Sequence, residues 1–135
     1  MAKPVVTING ASFNTLEGFF DQFGRHALKG KAWGCNLDAF NDVLRGGMGT
    51  PKGGFVLVWQ NHSLSRYRLG HAGTAHHLRR MLETCDARNI AGIRRDIAAA
   101  TAHHGSTVYD WLIDVIRAHG SGGAEASDGI ELELR

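Results

Sequence analysis

The chain has 135 residues, 43% of them hydrophobic and 21% charged. This is an ordinary globular mix that excludes wholesale disorder and is long enough for one self-sufficient core. No run approaches the roughly 18 consecutive apolar residues of a membrane-spanning helix. The N-terminal MAKPVVTING lacks the long apolar region and small-residue cleavage site of a secretory leader. A single cytoplasmic domain over residues 1–135 is therefore expected, with Cys35 and Cys85 as free thiols whose separation makes no metal motif. The formal net charge of +2 is unevenly spread: residues 61–105 carry seven Arg against three acids, +4, and residues 106–135 carry two Arg against six acids, −4. No run of consecutive basic residues is long enough to suggest a nucleic-acid tail.

Val5-Val6-Thr7-Ile8, closed by Asn9-Gly10, reads as a strand followed by a turn. Asn14 and Glu17 then resemble a helix N-cap pair. Leu16, Phe19, Phe20, Phe23 and Ala27 follow at helical spacing, with Gly24 a weak spot in the run. Residues 30–34 form a loop containing Trp33. A second helix begins at Asn36, with Leu37, Phe40 and Leu44 as its apolar stripe, and ends at Gly46-Gly47.

The Gly-rich stretch 46–54 leads into Phe55-Val56-Leu57-Val58-Trp59, a continuous apolar run expected to be a central strand buried on both faces. Residues 62–73 read as irregular. Two arginine-decorated helices are expected over about 74–86 and 89–102. A strong helix spans Val108 to Ala118, capped by Ser106 or Thr107, with Trp111, Leu112, Val115 and Ile116 on its apolar face. The segment 120–129 reads as a flexible loop, and the alternating Ile130-Glu131-Leu132-Glu133-Leu134 as a closing strand. Long helical connections between strands imply parallel pairing, so the fold class is α/β: a three-stranded parallel sheet packed with helices.

Among residues able to carry chemistry, Asp38 and Asp42 are the most informative. Four apart on one helix, they share a face nearly opposite the apolar stripe. That pattern is compatible with a plain solvated face, with Asp38 favoured by the helix dipole and Arg45 screening Asp42, or with an acidic helix offered to a cationic partner. Eight histidines invite a metal site. The groups His71/His76/His77 and His103/His104 nevertheless have neither HExxH nor zinc spacing, and adjacent helical histidines diverge by about 100°. No metal or cofactor is expected. Cys35 precedes the acidic helix with no base placed near it, so it reads as a semi-buried thiol. The 46–54 loop lacks GxxxxGK[ST], so no phosphate loop is supported.

The segment Trp33-Gly34-Cys35-Asn36-Leu37-Asp38-Ala39-Phe40-Asn41-Asp42-Val43-Leu44-Arg45-Gly46 resembles the binding region of the barstar family, inhibitors of small microbial ribonucleases. That family's pattern is aromatic-Gly-x-Asn-Leu-Asp-Ala-Leu-x-Asp-x-Leu. Thr15 to Phe20 is similar to its first helix and Val56 to Trp59 to its second strand. The resemblance implies a barstar-like fold and a non-enzymatic function, in which Asp42 is the main phosphate mimic, Asp38 a flanking acid, and Gly34 and Asn36 shape the approaching loop. The implied partner-binding set is Trp33, Gly34, Asn36, Asp38, Asn41, Asp42, Arg45 and Gly46, facing a ribonuclease or toxin with a cationic active-site cleft.

The chain departs from the family pattern at Ala32, Asn41 and Gly47, where the family carries aromatics, and at Ala118, where it carries an acid. It also carries an arginine-rich helical insertion at about 66–105, comprising Arg66, Arg68, Arg79, Arg80, Arg88, Arg94 and Arg95. That insertion reads as a solvated face or as a second contact surface for an acidic partner or RNA. The missing aromatics keep open a barstar-like immunity or interaction module for a non-ribonuclease toxin. An enzyme ranks last, because no nucleophile–base or metal constellation can be assembled.

Overall fold

The computed structural model describes residues 3–46 and 49–135. In chain order the elements are β1 (Val5–Asn9), α1 (Leu16–Ala27), α2 (Leu37–Leu44), β2 (Val56–Gln60), α3 (His62–Arg68), α4 (His71–Leu82), α5 (Ile90–Thr101), α6 (Val108–Ala118) and β3 (Glu131–Leu134). The three strands form one parallel sheet in the order β1-β2-β3.

Register determines what each face of the sheet holds. Val6, Leu57 and Leu132 lie side by side, as do Ile8, Trp59 and Leu134, and this face carries the core together with α1, α2 and α6. The opposite face aligns Thr7 with Val58 and Glu133, and Val5 with Val56 and Glu131. Val5 there is 62% exposed, and Thr7, Glu131 and Glu133 are exposed too. β2 is central in the sheet, as expected, with Leu57 and Trp59 buried on the core face and Val58 on the other. Val58 is buried outside the helix-covered core, between the side chains of its two flanking strands. An apolar run in a three-stranded sheet needs only neighbouring strands, not a second helical layer, to leave water.

Aromatic packing dominates the core. Phe40 of α2 stands edge-on to Phe19 and Phe23 of α1, with ring centroids 5.4 and 4.9 Å apart, the geometry ring quadrupoles favour. Trp59 is fully buried, and its indole N–H donates to Ser65 Oγ at 3.0 Å. That contact explains α3, which the sequence reading leaves irregular. Its heptapeptide HSLSRYR has no apolar stripe, and Ser65 is its buried residue. The helix forms because Asn61 turns the chain at φ 54° and Arg68 donates to the carbonyls of Ala11 and Phe13.

Three further readings shift. Thr15, not Asn14, caps α1, its hydroxyl accepting from the Gly18 N–H at 3.0 Å. Asn36 caps α2 rather than opening it. The buried face of α6 is Val108, Tyr109, Leu112, Ile113 and Ile116, leaving Trp111 and Val115 at its margin. The cap of α6 is a reciprocal Thr107–Asp110 box. Helix α5 falls within about a residue of its expected bounds and α4 begins and ends a few residues earlier than expected, and their buried apolar residues Ala75, Leu78, Ile93 and Ala100 form no part of the main hydrophobic cluster. No described helix is long and apolar enough to cross a membrane.

Candidate partner-binding site

The loop between α1 and α2 is built by close approach. Lys29 and Gly30 turn the chain at φ 52° and 77°, and the Gly30 N–H returns to the Gly24 carbonyl at 3.0 Å. Trp33 then folds back over α1, edge-on to Phe20 at 5.4 Å. It fits because residue 24 has no side chain: a Cβ there would lie 2.8 Å from the indole nitrogen. Gly24, read from sequence as a weak spot, is the seat of Trp33. Gly34 passes over the first turn of α2, where a Cβ would lie 2.7 Å from that of Ala39. A shallow depression of about 480 Å³ beside Trp33 is lined by Asp21, Arg25, Lys31 and Cys35 among others. Cys35 sits at φ 50° with its thiol exposed, not semi-buried, because the backbone turn throws its side chain outward from the loop.

Both ends of α2 are secured. Asn36 Oδ1 accepts from the Ala39 N–H at 2.8 Å, a satisfied N-cap. At the other end the buried Thr50 hydroxyl donates to the Val43 carbonyl at 2.6 Å, and Gly46 leaves the helix at φ 90°. Gly47, the departure noted after the helix, lies outside the described residues. Phe40, Val43 and Leu44 are buried, and Asp38 and Asp42 both face solvent, as their spacing implies.

Asn41 of α2 turns towards the protein, while Arg45, the C-cap, stays exposed and pairs along the surface. Arg45 donates to Asp42 at 2.7 Å and, through Nε, to Glu125 at 2.9 Å. Glu125's hydrogen bond and charge hold the guanidinium firmly protonated, with Asp42 and Asp128 adding to the effect. Asn41 points inward, its Oδ1 2.7 Å from His119 Nε2. His119 is fully buried at the end of α6, and its Nδ1 lies 2.6 Å from Asp128 Oδ2 and 3.3 Å from Glu125 Oε2. The site thus brings together Trp33, Gly34, Asn36, Asp38, Asp42 and Gly46 along one loop and helix, with Asn41 tied to His119 beneath it and Arg45 bridging Asp42 and Glu125 at its surface.

His119, Glu125 and Asp128 escape sequence reasoning, which weighs only the other histidine clusters and reads 120–129 as flexible. The segment is ordered by a short 3-10 turn at Ala126–Asp128, by the Glu125 N–H on the Ala118 carbonyl, and by the Ile130 N–H on the His119 carbonyl. Two acids following a helix-ending histidine were the signal available. Among the described residues these three side chains are the group compact enough to share a cation. Their geometry is that of a hydrogen-bonded triad: Nδ1 donates to Asp128, and Arg45 occupies Glu125.

The arginines of residues 66–105 scatter. Arg68 serves the β1–α1 loop carbonyls, Arg80 lies 3.8 Å from Glu17, Arg88 pairs with Asp86, and Arg79 reaches Thr101. Among the described residues, Arg66, Arg94 and Arg95 enter no ion pair.

No curated protein matches this chain. The family model described as Barstar (barnase inhibitor) matches residues 3–98. That span holds β1, α1, the Trp33 loop, α2 and β2, and with them both exposed aspartates; His119 and its two acids lie beyond it. With most of its length matched and its three-stranded parallel α/β fold in accord, the chain belongs to the barstar family.

Proposed function

We propose that the protein is an intracellular inhibitor of a small microbial ribonuclease, blocking the enzyme's cleft with α2 and the loop before it. The observation that carries this reading is the pair Asp38 and Asp42, both exposed, on a helix capped at both ends and backed by Phe40, Val43 and Leu44. A ribonuclease cleft holds an anionic backbone with Arg, Lys and His. A rigid helix presenting carboxylates can take the place of the scissile phosphate through charge-assisted, partly bidentate hydrogen bonds. Asp42 is the main mimic and Asp38 the flanking acid, with Trp33, Gly34 and Asn36 fixing the loop. The protein itself performs no catalysis. Residues 1–135 act as one domain, with an arginine-rich helical insertion at about 66–105.

A second reading, a barstar-like immunity or interaction module for a non-ribonuclease toxin, is favoured by Asn41, which stands where the family carries an aromatic and whose Oδ1 is engaged with His119. The test is titration into a panel of microbial ribonucleases with fluorogenic RNA cleavage as readout. The inhibitor reading expects stoichiometric inhibition that Asp42→Ala abolishes while the thermal midpoint moves by only a few degrees, since Asp42 makes one exposed ion pair. Absence of inhibition across the panel shifts the weight to the second reading. A collapse in stability makes Asp42 a structural residue instead.

A further inference from the structure

We propose that His119 is the positioning residue of α2: from behind the helix it sets the rotation at which Asp38 and Asp42 face outward. The inference rests on the reading of α2 as the contact helix. It starts from the shortness of α2, eight residues, too few to hold its own geometry without tertiary contacts. Phe40, Val43 and Leu44 supply apolar burial, which is non-directional. Thr50 holds the Val43 carbonyl at the C-terminal end; the directional restraint on a side chain of the helix body comes from His119.

The ring is fixed from three sides. Nδ1 lies 2.6 Å from Asp128 and 3.3 Å from Glu125. Ionised carboxylates only accept, so Nδ1 carries a proton, and the ring plane is set by the 119–129 loop. Nε2, on the opposite side of the ring, then meets the Asn41 amide at 2.7 Å. That amide can offer its oxygen to an N–H or, turned over, its NH2 to a lone pair, so the contact persists in either charge state of the imidazole.

Asn41 and Asp42 are adjacent, about 100° apart around the helix. Pinning Asn41 inward therefore fixes where Asp42 points. A second route reinforces the first: Glu125, which faces His119 through Oε2, also accepts from Arg45, and Arg45 donates to Asp42. The two ends of this chain, Asp128 and Asp42, lie in different elements joined through a histidine with no exposed surface.

The experiment uses the full chain and two readouts. The first needs no partner: hydrogen exchange of the α2 amides Phe40, Val43 and Leu44, against those of Leu57 and Trp59 in β2, together with the 15N shifts of the His119 ring. Asn41→Leu cuts the link while leaving His119 on its carboxylates. The expected result is exchange about tenfold faster in α2 but not in β2 for Asn41→Leu, with a ring Nδ1–H signature in both proteins. His119→Gln should loosen α2 in the same selective way. The second readout is ribonuclease inhibition, expected to weaken about tenfold or more in His119→Gln, a residue no partner can touch. Wild-type exchange rates in Asn41→Leu, or uniform loosening of helices and sheet in His119→Gln, overturn the proposal. So does full-strength inhibition by His119→Gln. If the wild-type protein inhibits no ribonuclease, the functional reading falls and the exchange pattern alone decides whether His119 positions α2.

Discussion

Replacing Gly24 with Ala puts the Trp33 seat to a direct test. In an isolated helix the change stabilises by about 1 kcal/mol, because glycine leaves more backbone entropy to lose. Here the added Cβ would lie 2.8 Å from Trp33 Nε1, so the indole must retreat about 0.6 Å to regain ordinary contact near 3.4 Å. It cannot retreat inward, because Phe20, Phe23 and Phe40 stand against it at ring separations of 5.4, 6.0 and 6.5 Å. The ring must lift towards solvent, at an overpacking cost of about 1–3 kcal/mol. Set against the propensity gain, the net change runs from near zero to about 2 kcal/mol destabilising. At roughly 3–5 °C per kcal/mol for a chain of this size, the midpoint falls by up to about 10 °C. Calorimetry reads the midpoint and tryptophan emission reads the site. Trp59 is fully buried and Trp111 lies on α6, so a red shift with greater acrylamide quenching reports Trp33. A midpoint that rises by about 3–5 °C with unshifted emission would refute the packing argument, since only the propensity term would then be acting.

Arg45→Ala separates two roles for that residue. If Arg45 screens Asp42, its removal leaves the face one unit more negative, and association with a cationic ribonuclease quickens at low salt, with stability lowered by less than about 1 kcal/mol. Slower association in stopped flow would make Arg45 itself a partner contact. His77 gives a pH prediction. Burial holds its pKa below the ordinary histidine value, against a weaker opposing pull from Glu17. The unfolded chain therefore binds the proton more readily, and stability present above about pH 6.5 is lost as the pH falls. Urea midpoints should drop between pH 7.5 and 5.5, and less so in His77→Gln; equal drops would remove His77 from the account.

What the sequence made legible follows from what is local. The stripe Leu37, Phe40, Leu44 gave α2 its inward face and sent Asp38 and Asp42 outward, since helical geometry alone links those positions. The alternation in β3 and the apolar run in β2 gave the strands. α3 was illegible because one buried serine, not a stripe, holds it. The difference between Asn14 and Thr15 as cap turned on one residue of backbone conformation, where a propensity argument has least grip. The inward turn of Asn41 was illegible for a different reason: its partner lies 78 residues away, and no local period records a contact of that range. Reading 120–129 as flexible from its glycines missed the two acids that fasten it to His119.

The placement of charge carries more than its total. The chain is net positive, which taken alone argues against attraction to a cationic cleft. Screening limits a charge's reach to about 8 Å at physiological ionic strength, so a partner approaching α2 meets the local set. Asp38, Asp42 and Glu125 are there, with Arg45 bonded to two of the three and His119 enclosed behind them. Of the seven arginines of 61–105, Arg68, Arg80 and Arg88 are drawn to carbonyls or carboxylates of their own surroundings. The acidic face can therefore keep its own field on a basic protein, and the shared Arg45 becomes the point of competition. A partner guanidinium that takes Asp42 leaves Arg45 to Glu125, which already holds it through both Nε and a terminal nitrogen. The exchange strands no charge on either side, which is the condition for a carboxylate to be released to a partner at little cost.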